Sequence, residues 1–574
     1  MGNQKLDSQL NTALGVSEQI RSGAQNLNVG YEGRERRWEL IVKHSGDLTR
    51  LSGDGVTVEE LIAGYAIVTL PERLIPAFSE LEEVEYIEKP KRIYPQVQEA
   101  LAVSCFEPAF SGTGIEGGAL SGEGVYVAVI DSGIDYTLPI FRNADGTTKI
   151  DFLWDQSKQP DMEMQERPPE GFAVGVEYTA EQIDASMKEG GGVSRLSVDV
   201  TGHGTAVASI AAQGAPGSRL IVVKLDVANQ ISYPSTTALL RAFTYVVQKA
   251  AVQGRPVAIN LSFGNTYGSH DGTSLVERFL DNVSEIGRSV ICVGSGNEGA
   301  SAGHFSKKIL QEETIELAVG NYEATLSLQI WKMFADRYEI EVISPAGEGY
   351  VIRQQEEVQN IVLGQTRLLI YNGGPQPYRT KEEIYMDFLP TETYLEEGIW
   401  NIRITPIRVV SGNVQMYLPS EVVRSSATRF LQPNPEATLT IPSTALRVIT
   451  VGAYQPFFDA YADFSGRGYV MNASDISEGL SKPDLVAPGV GIRVQGLQGE
   501  ETVSGTSYAT PFVTAACALL MEWGIVKGYD PFLYGEKVKA YLISGARQLR
   551  GYETWPNDMV GWGALCVADS FPII

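Results

Sequence analysis

The sequence predicts a doubly wound α/β domain, interrupted by an inserted β-sandwich and preceded by a small α/β unit. Three observations carry this. From Val125 to Gly294, continuous apolar strands alternate with helical patterns, as in a parallel sheet covered on both faces. Beyond about His304 the rhythm changes to short segments that alternate polar and apolar residues at period two. After about Thr438 the strand–helix rhythm resumes, which marks the β-region as an insertion. The expected segments are 1–96, 97–305, 306–437 and 438–574.

Taken in order, the stretch to about Asn28 is polar and weakly patterned and reads as a loosely attached arm. Trp38 to Lys43 and Tyr65 to Leu70 read as strands, with Val56 to Ala63 between them as a short helix or turn. A helix is expected from about Arg73 to Leu81, with Pro76 tolerable in its first turn, and Val84 to Lys89 as a third strand. An extended tail from Pro90 to Val97 closes the unit. The α/β region then offers strands at Val125–Ile130, Leu220–Leu225, Val257–Ser262 and Val290–Gly294, with helices at Thr236–Gln253 and Ser274–Ile286. The insertion offers seven strands, beginning at Thr314, Ala324, Tyr338, Arg367, Glu383, Trp400 and Val414. Leu446 to Gly452 returns the chain to the parallel sheet.

Composition narrows the function. The chain has 574 residues, 43% hydrophobic and 20% charged, with a formal net charge of −25. An acidic surface disfavours nucleic acid, whose phosphates need a basic face. No uninterrupted apolar run approaches the roughly 20 residues of a bilayer span, so no membrane partner is expected. The N-terminus lacks the apolar core of a secretory signal, and Leu6 stands where a myristoylation signal wants Ser or Thr. Cys105, Cys292, Cys517 and Cys566 show no metal-ligand spacing and read as free buried thiols. The acidic stretches Asp145–Asp155 and Asp184–Asp199 lack the spacing of a calcium loop and read as solvated charge. No metal and no cofactor are expected.

Four motifs carry chemistry. Asp131 follows a buried strand in Ile-Asp-Ser-Gly-Ile-Asp, at the carboxyl end where parallel sheets react. His203 lies in Thr-Gly-His-Gly-Thr-Ala-Val-Ala-Ser, where glycines permit close backbone approach and a small-residue helix follows. His44, His270 and His304 stand in polar or loop contexts and read as solvated. Ser507 lies in Ser-Gly-Thr-Ser-Tyr-Ala-Thr-Pro, and Pro511, best placed in a first turn, starts the helix close to it. The hydroxyl then sits near a positive helix end with free backbone donors. Asn297, in Val-Gly-Ser-Gly-Asn-Glu-Gly after another buried strand, brings a side-chain amide that can donate to the same oxyanion. Each motif alone has an ordinary reading as a cap or turn. Together they present Asp, His and Ser in the order of one of the convergent triads.

These motifs resemble those of the subtilisin-like serine peptidases over roughly residues 120–305 and 438–550. Asn260-Leu-Ser-Phe-Gly is similar to that family's substrate strand, and Lys482-Pro-Asp-Leu-Val-Ala-Pro-Gly to its run-up to the serine. The resemblance implies a peptidase with catalytic Asp131, His203 and Ser507 and an oxyanion hole built on Asn297. It implies substrate binding along Leu261, Ser262, Phe263 and Gly264 and along Gly294, Ser295 and Gly296. The N-terminal unit resembles a subtilase propeptide, a partner for the active site, with self-cleavage at Gln96–Val97 and Tyr94 as an alternative P1. The missing signal, the propeptide, the acidic segment and the insertion after Asn-Glu-Gly together resemble the clostridial Csp germination proteases. In that group the insert is a jelly roll, the cleaved propeptide can stay bound, and a cortex-lytic pro-hydrolase is the substrate. The group also includes pseudoproteases that act as sensors or scaffolds, and a general protease with an interaction module is a further reading.

Overall fold

The structure is a computed structural model that describes every residue except 1–2, 25, 92–93, 96–103, 162, 164–165, 189–195, 228–232, 355–357, 469–480 and 573–574. The chain divides into two compact units. The first comprises Met1–Arg92, Asn265–Leu275 and Glu298–Ile441, and the second Ile93–Gly264, Val276–Asn297 and Pro442–Ile574.

In the first unit, strand β1 (Arg37–His44) is central to an antiparallel sheet and pairs with β2 (Tyr65–Pro71) along its length. Thr57–Glu60 adds to the far side of β2. The sequence reading made this segment a helix or turn, but Val58 pairs with Val68 in an edge strand. The expected helix is also shorter and in two pieces, a 3-10 turn at Glu72–Leu74 and an α-turn at Ile75–Ser79.

The described residues before Val29 are no loose arm. A helix spans Ser8–Leu14, capped by Asp7, whose carboxylate accepts from the Leu10 N–H at 2.8 Å. Leu6, Leu10 and Ala13 form a narrow apolar stripe that is buried, and the surrounding Gln and Asn residues hide it in the sequence.

The insertion forms two antiparallel sheets of six and five strands among the described residues. Leu328, Ile330, Ile340, Val342, Trp400 and Ile402 belong to one core shared by the sheets. The strands absent from the sequence reading are His304–Lys308, Gly349–Val351, Gln359–Leu363 and Arg429–Phe430, all short and mostly at sheet edges. Leu369, Tyr385 and Leu389 join the apolar cluster of the N-terminal residues, so these two segments share one unit.

In the second unit, strand β3 (Tyr94–Pro95) comes first, and β4 (Tyr126–Asp131) lies near the middle of a nine-stranded, mostly parallel sheet. Helix α1 (His203–Gly214) follows. β5 (Val257–Leu261), β6 (Phe263–Gly264), β7 (Ser289–Gly294) and β8 (Ile449–Gln455) come next in the chain. β5 lies between β4 and β7 in parallel register, and β8 flanks β7. Helix α2 (Thr506–Met521) is buried along its length, as its apolar and small residues dictate. With its continuation to Val526 it is long and apolar enough to cross a membrane, yet 83% of that window is buried inside the protein. It is a core helix.

Three sequence expectations differ from the structure. Cys105 and Cys566 are disulfide-bonded, with Cα atoms 4.9 Å apart and 461 residues between them, so only Cys292 and Cys517 are free thiols. His44, His270 and His304 are buried rather than solvated. His270 and His304 stack on Tyr417 at 3.8 and 4.5 Å between ring centroids, and burial lowers their pKa values to about 4 and about 3. Asp155 and Asp199 are buried and hydrogen-bonded rather than solvated.

Candidate active site

The carboxyl ends of β4, β5 and β7 bring the candidate residues together, at the place where an open parallel sheet offers a crevice. Asp131 is the last residue of β4 and fully buried. Its Oδ1 accepts from the Ser132 N–H and from His203 Nδ1, each at 2.7 Å. A carboxylate can only accept, so Nδ1 carries the proton and Nε2 keeps the lone pair of a base. Nε2 is buried without a hydrogen-bond partner among the described residues.

His203 opens α1, after Gly202 at φ +80°, a left-handed conformation that suits glycine. A Cβ on Gly204 would lie 2.2 Å from the Gly133 carbonyl, so only glycine lets α1 meet the loop after β4 this closely. Burial opposes protonation of His203. The charge and hydrogen bond of Asp131, joined by the charge of Asp199, outweigh it and raise the pKa above its ordinary 6.5. Phe263 meets the imidazole nearly edge-on at 5.7 Å, and Tyr508 lies tilted against it at 5.5 Å.

Ser507 stands in the first turn of α2, and its Oγ donates to the Ser262 carbonyl at 3.3 Å. Pro511 falls inside this helix rather than in its first turn as expected. Lacking an N–H, Pro511 cannot bond the Ser507 carbonyl four residues back. Ser262 Oγ donates to that carbonyl instead, at 3.0 Å, and itself accepts from Asn260 Nδ2 at 3.0 Å. The proline thus opens a place for the Asn260–Gly264 segment to hold the Ser507 backbone.

Asn297 lies three residues beyond β7. Its Oδ1 accepts from the Thr506 N–H at 3.1 Å and the Thr506 hydroxyl at 3.2 Å, which turns Nδ2, the donor, the other way. Thr506 Oγ1 also accepts from the Gly296 N–H at 3.3 Å. We expect Asn297→Ala to lower kcat by about 10²–10³-fold with little change in KM, the scale for losing one oxyanion donor. Thr506→Val, which keeps the backbone N–H but drops the hydroxyl, is expected to give a smaller loss of the same kind. Steady-state kinetics on one peptide substrate checks both; an unchanged kcat in Asn297→Ala contradicts the assignment.

The expected substrate-binding residues divide. Phe263 and Gly264 in β6 pair antiparallel with Pro95 and Tyr94 of β3. Phe263 and Gly264 therefore lie where an added strand can pair. Leu261 is paired on both sides, with Ile130 and Val293, so its backbone has no edge left for a substrate strand. Ser295 donates its N–H to Val451 O at 2.8 Å, and Gly294 pairs with Val451, which ties both to β8. Gln96 and Val97, the expected cleavage pair, lie outside the described residues. Ser262 and Phe263 were expected as substrate-binding residues; the bonds of Thr506 to Asn297 and Gly296 and the ring of Tyr508 against His203 were missed in the sequence. Both adjoin motif residues, which is the signal that could have found them.

A family model described as the subtilase family matches residues 122–327 and 349–563, and one described as the Csp protease B prodomain matches residues 4–91. The solved structure of the Clostridium perfringens CspB protease is similar at 34% identity and a TM-score of 0.73, over 81% of this chain and 95% of that one. The mouse membrane-bound transcription factor site-1 protease is 34% identical over 138 residues, 24% of this chain and 12% of its own length. The serine protease AprX of Bacillus subtilis is 31% identical over 156 residues, 24% of this chain and 32% of its own length. The matched stretch is thus under a third of either curated relative.

Proposed function

Since the chain belongs to the subtilase family of serine peptidases and carries a Csp-type prodomain, we propose that it is a self-processing endopeptidase of limited specificity. In the proposed reaction the Ser507 hydroxyl turns from the Ser262 carbonyl to His203 Nε2, gives up its proton and attacks the scissile carbonyl. The oxyanion meets Asn297 Nδ2 and the Ser507 N–H. His203 then protonates the leaving amine, the C–N bond breaks, and water, deprotonated by the same imidazole, releases the acyl group. Asp131 holds the tautomer and stabilises the imidazolium throughout.

One observation carries the self-processing reading, the pairing of β3 with β6. Tyr94 stands opposite Gly264 and Pro95 opposite Phe263. Ser262, whose carbonyl receives the Ser507 hydroxyl, directly precedes Phe263, and Gln96 directly follows Pro95 in the chain. The register therefore supports Gln96 as P1 and Val97 as P1′, and it makes Tyr94 the P3 residue. N-terminal sequencing of the purified protein is expected to read from Val97; a start at Pro95 would overturn this register.

The physiological substrate we propose is a folded pro-hydrolase of spore germination, by resemblance to the Csp group. The net charge of −25 supports a protein rather than nucleic acid as partner. Cleavage of such a pro-hydrolase at one bond, with casein left largely intact, is the expected outcome. General digestion of casein would favour a broad protease instead. A scaffold role without catalysis is disfavoured by the retention of Asp131, His203, Ser507 and Asn297 together.

A further inference from the structure

A second buried carboxylate stands behind the histidine. Asp199 is 1% exposed and lies four residues before His203. Its Oδ1 accepts from the Ser132 hydroxyl at 2.9 Å and from the N–H groups of Thr201 and Gly202 at 3.1 and 3.0 Å. Its Oδ2 accepts from both the N–H and the hydroxyl of Thr205 at 2.8 Å. The carboxylate thus satisfies backbone donors on both sides of His203, where a helix start leaves them unpaired.

The same group reaches Asp131 through side chains. The His203 N–H donates to Thr201 Oγ1 at 3.1 Å, and Thr201 Oγ1 donates to Ser132 Oγ at 2.8 Å. Ser132 Oγ also accepts from the Gly204 N–H at 2.9 Å and donates its own hydrogen bond to Asp199. Ser132 follows Asp131 directly, so one carboxylate joins the loop after β4 to the first turn of α1. Nothing in this arrangement touches the reacting atoms.

We propose that Asp199 is a positioning residue of the peptidase, which fixes the imidazole of His203 against Asp131 and adds a second negative charge behind it. The proposal rests on the peptidase reading for its kinetic consequence but not for its structural one. Of the other charged groups on the packed elements, Lys224, opposite Asp131 in register, faces Asp155 at 3.4 Å, and Asp135 caps Thr137. Asp131 and Asp199 are the charges that favour the imidazolium, against the desolvation of the site.

The test titrates His203 by nuclear magnetic resonance in the Ser507→Ala protein, where no activity is needed. Asp199→Asn, which keeps the shape and removes the charge, is expected to move the His203 midpoint to lower pH. In the wild-type background it is expected to lower kcat by about 10–100-fold with KM nearly unchanged, as a misplaced general base does. An unchanged midpoint in a folded Asp199→Asn protein overturns the proposal. Should that variant fail to fold, Ser132→Ala keeps both carboxylates and removes the hydroxyl between them. It is expected to lose kcat without a rise in KM, and full kcat in it overturns the proposal. A wild-type protein that neither processes itself nor cleaves peptides would count against the peptidase reading, while the titration would still decide the role of Asp199.

Discussion

Ser507→Ala is expected to give a full-length chain that neither processes itself nor cleaves peptides, with kcat down by about 10⁶-fold, the scale for removing a triad nucleophile. The fold should survive. The side chain lost is one hydroxyl, bonded to the Ser262 carbonyl, and the Ser507 carbonyl keeps its bond from Ser262 Oγ. The register of β3 on β6 supports cleavage within the chain, so nothing else in the molecule should process the bond in its place. Electrophoresis of the purified variant beside the wild type reads the outcome. A processed Ser507→Ala protein would remove self-cleavage from the account.

Asp131→Asn is the second large effect, a fall in kcat of about 10⁴-fold. An amide can donate where the carboxylate only accepted, so Nδ1 would no longer be compelled to carry the proton and Nε2 would cease to be reliably a base. The pH dependence should change with it. Asp131 helps raise the His203 pKa above 6.5, so the acid limb of kcat/KM should lie above that value in the wild type and move down in Asp131→Asn. Stability follows the same sign. A raised histidine stabilises the fold below its unfolded pKa and loses that contribution as pH rises through the folded one. The advantage of wild type over Asp131→Asn should therefore be greatest below pH 6.5 and shrink in alkali. Denaturant titrations at acidic and alkaline pH measure it.

The site was more legible in the sequence than the molecule around it. Asp131, His203, Ser507 and Asn297 each sit within local motifs whose glycines and strand ends have direct structural meaning. Gly204 is needed where a Cβ would strike Gly133. Long buried strands such as β4 and β5 were legible for the same reason, being apolar without interruption. What was hidden depends on residues far apart in the chain. Cys105 meets Cys566 across 461 residues, with no spacing to announce it. His270 and His304 keep polar neighbours in sequence, yet both stack on Tyr417. Asp199 looked like one more acid in an acidic stretch, although an Asp shortly before a helix start is also a capping signal. Pro511 gave the start of α2 close to Ser507 correctly, yet it lies inside the helix rather than in its first turn, where the bond it removes is replaced from Ser262.

The central claim is that Ser507 is a nucleophile activated by His203 and Asp131. Intact-mass measurement after treatment with a fluorophosphonate tests it most directly, on protein first freed of any bound propeptide under mild denaturant and refolded. The account predicts one phosphonyl adduct per chain, mapped to Ser507, and its loss in His203→Ala. A refolded wild-type protein that takes up no adduct, or labels equally without His203, would contradict it.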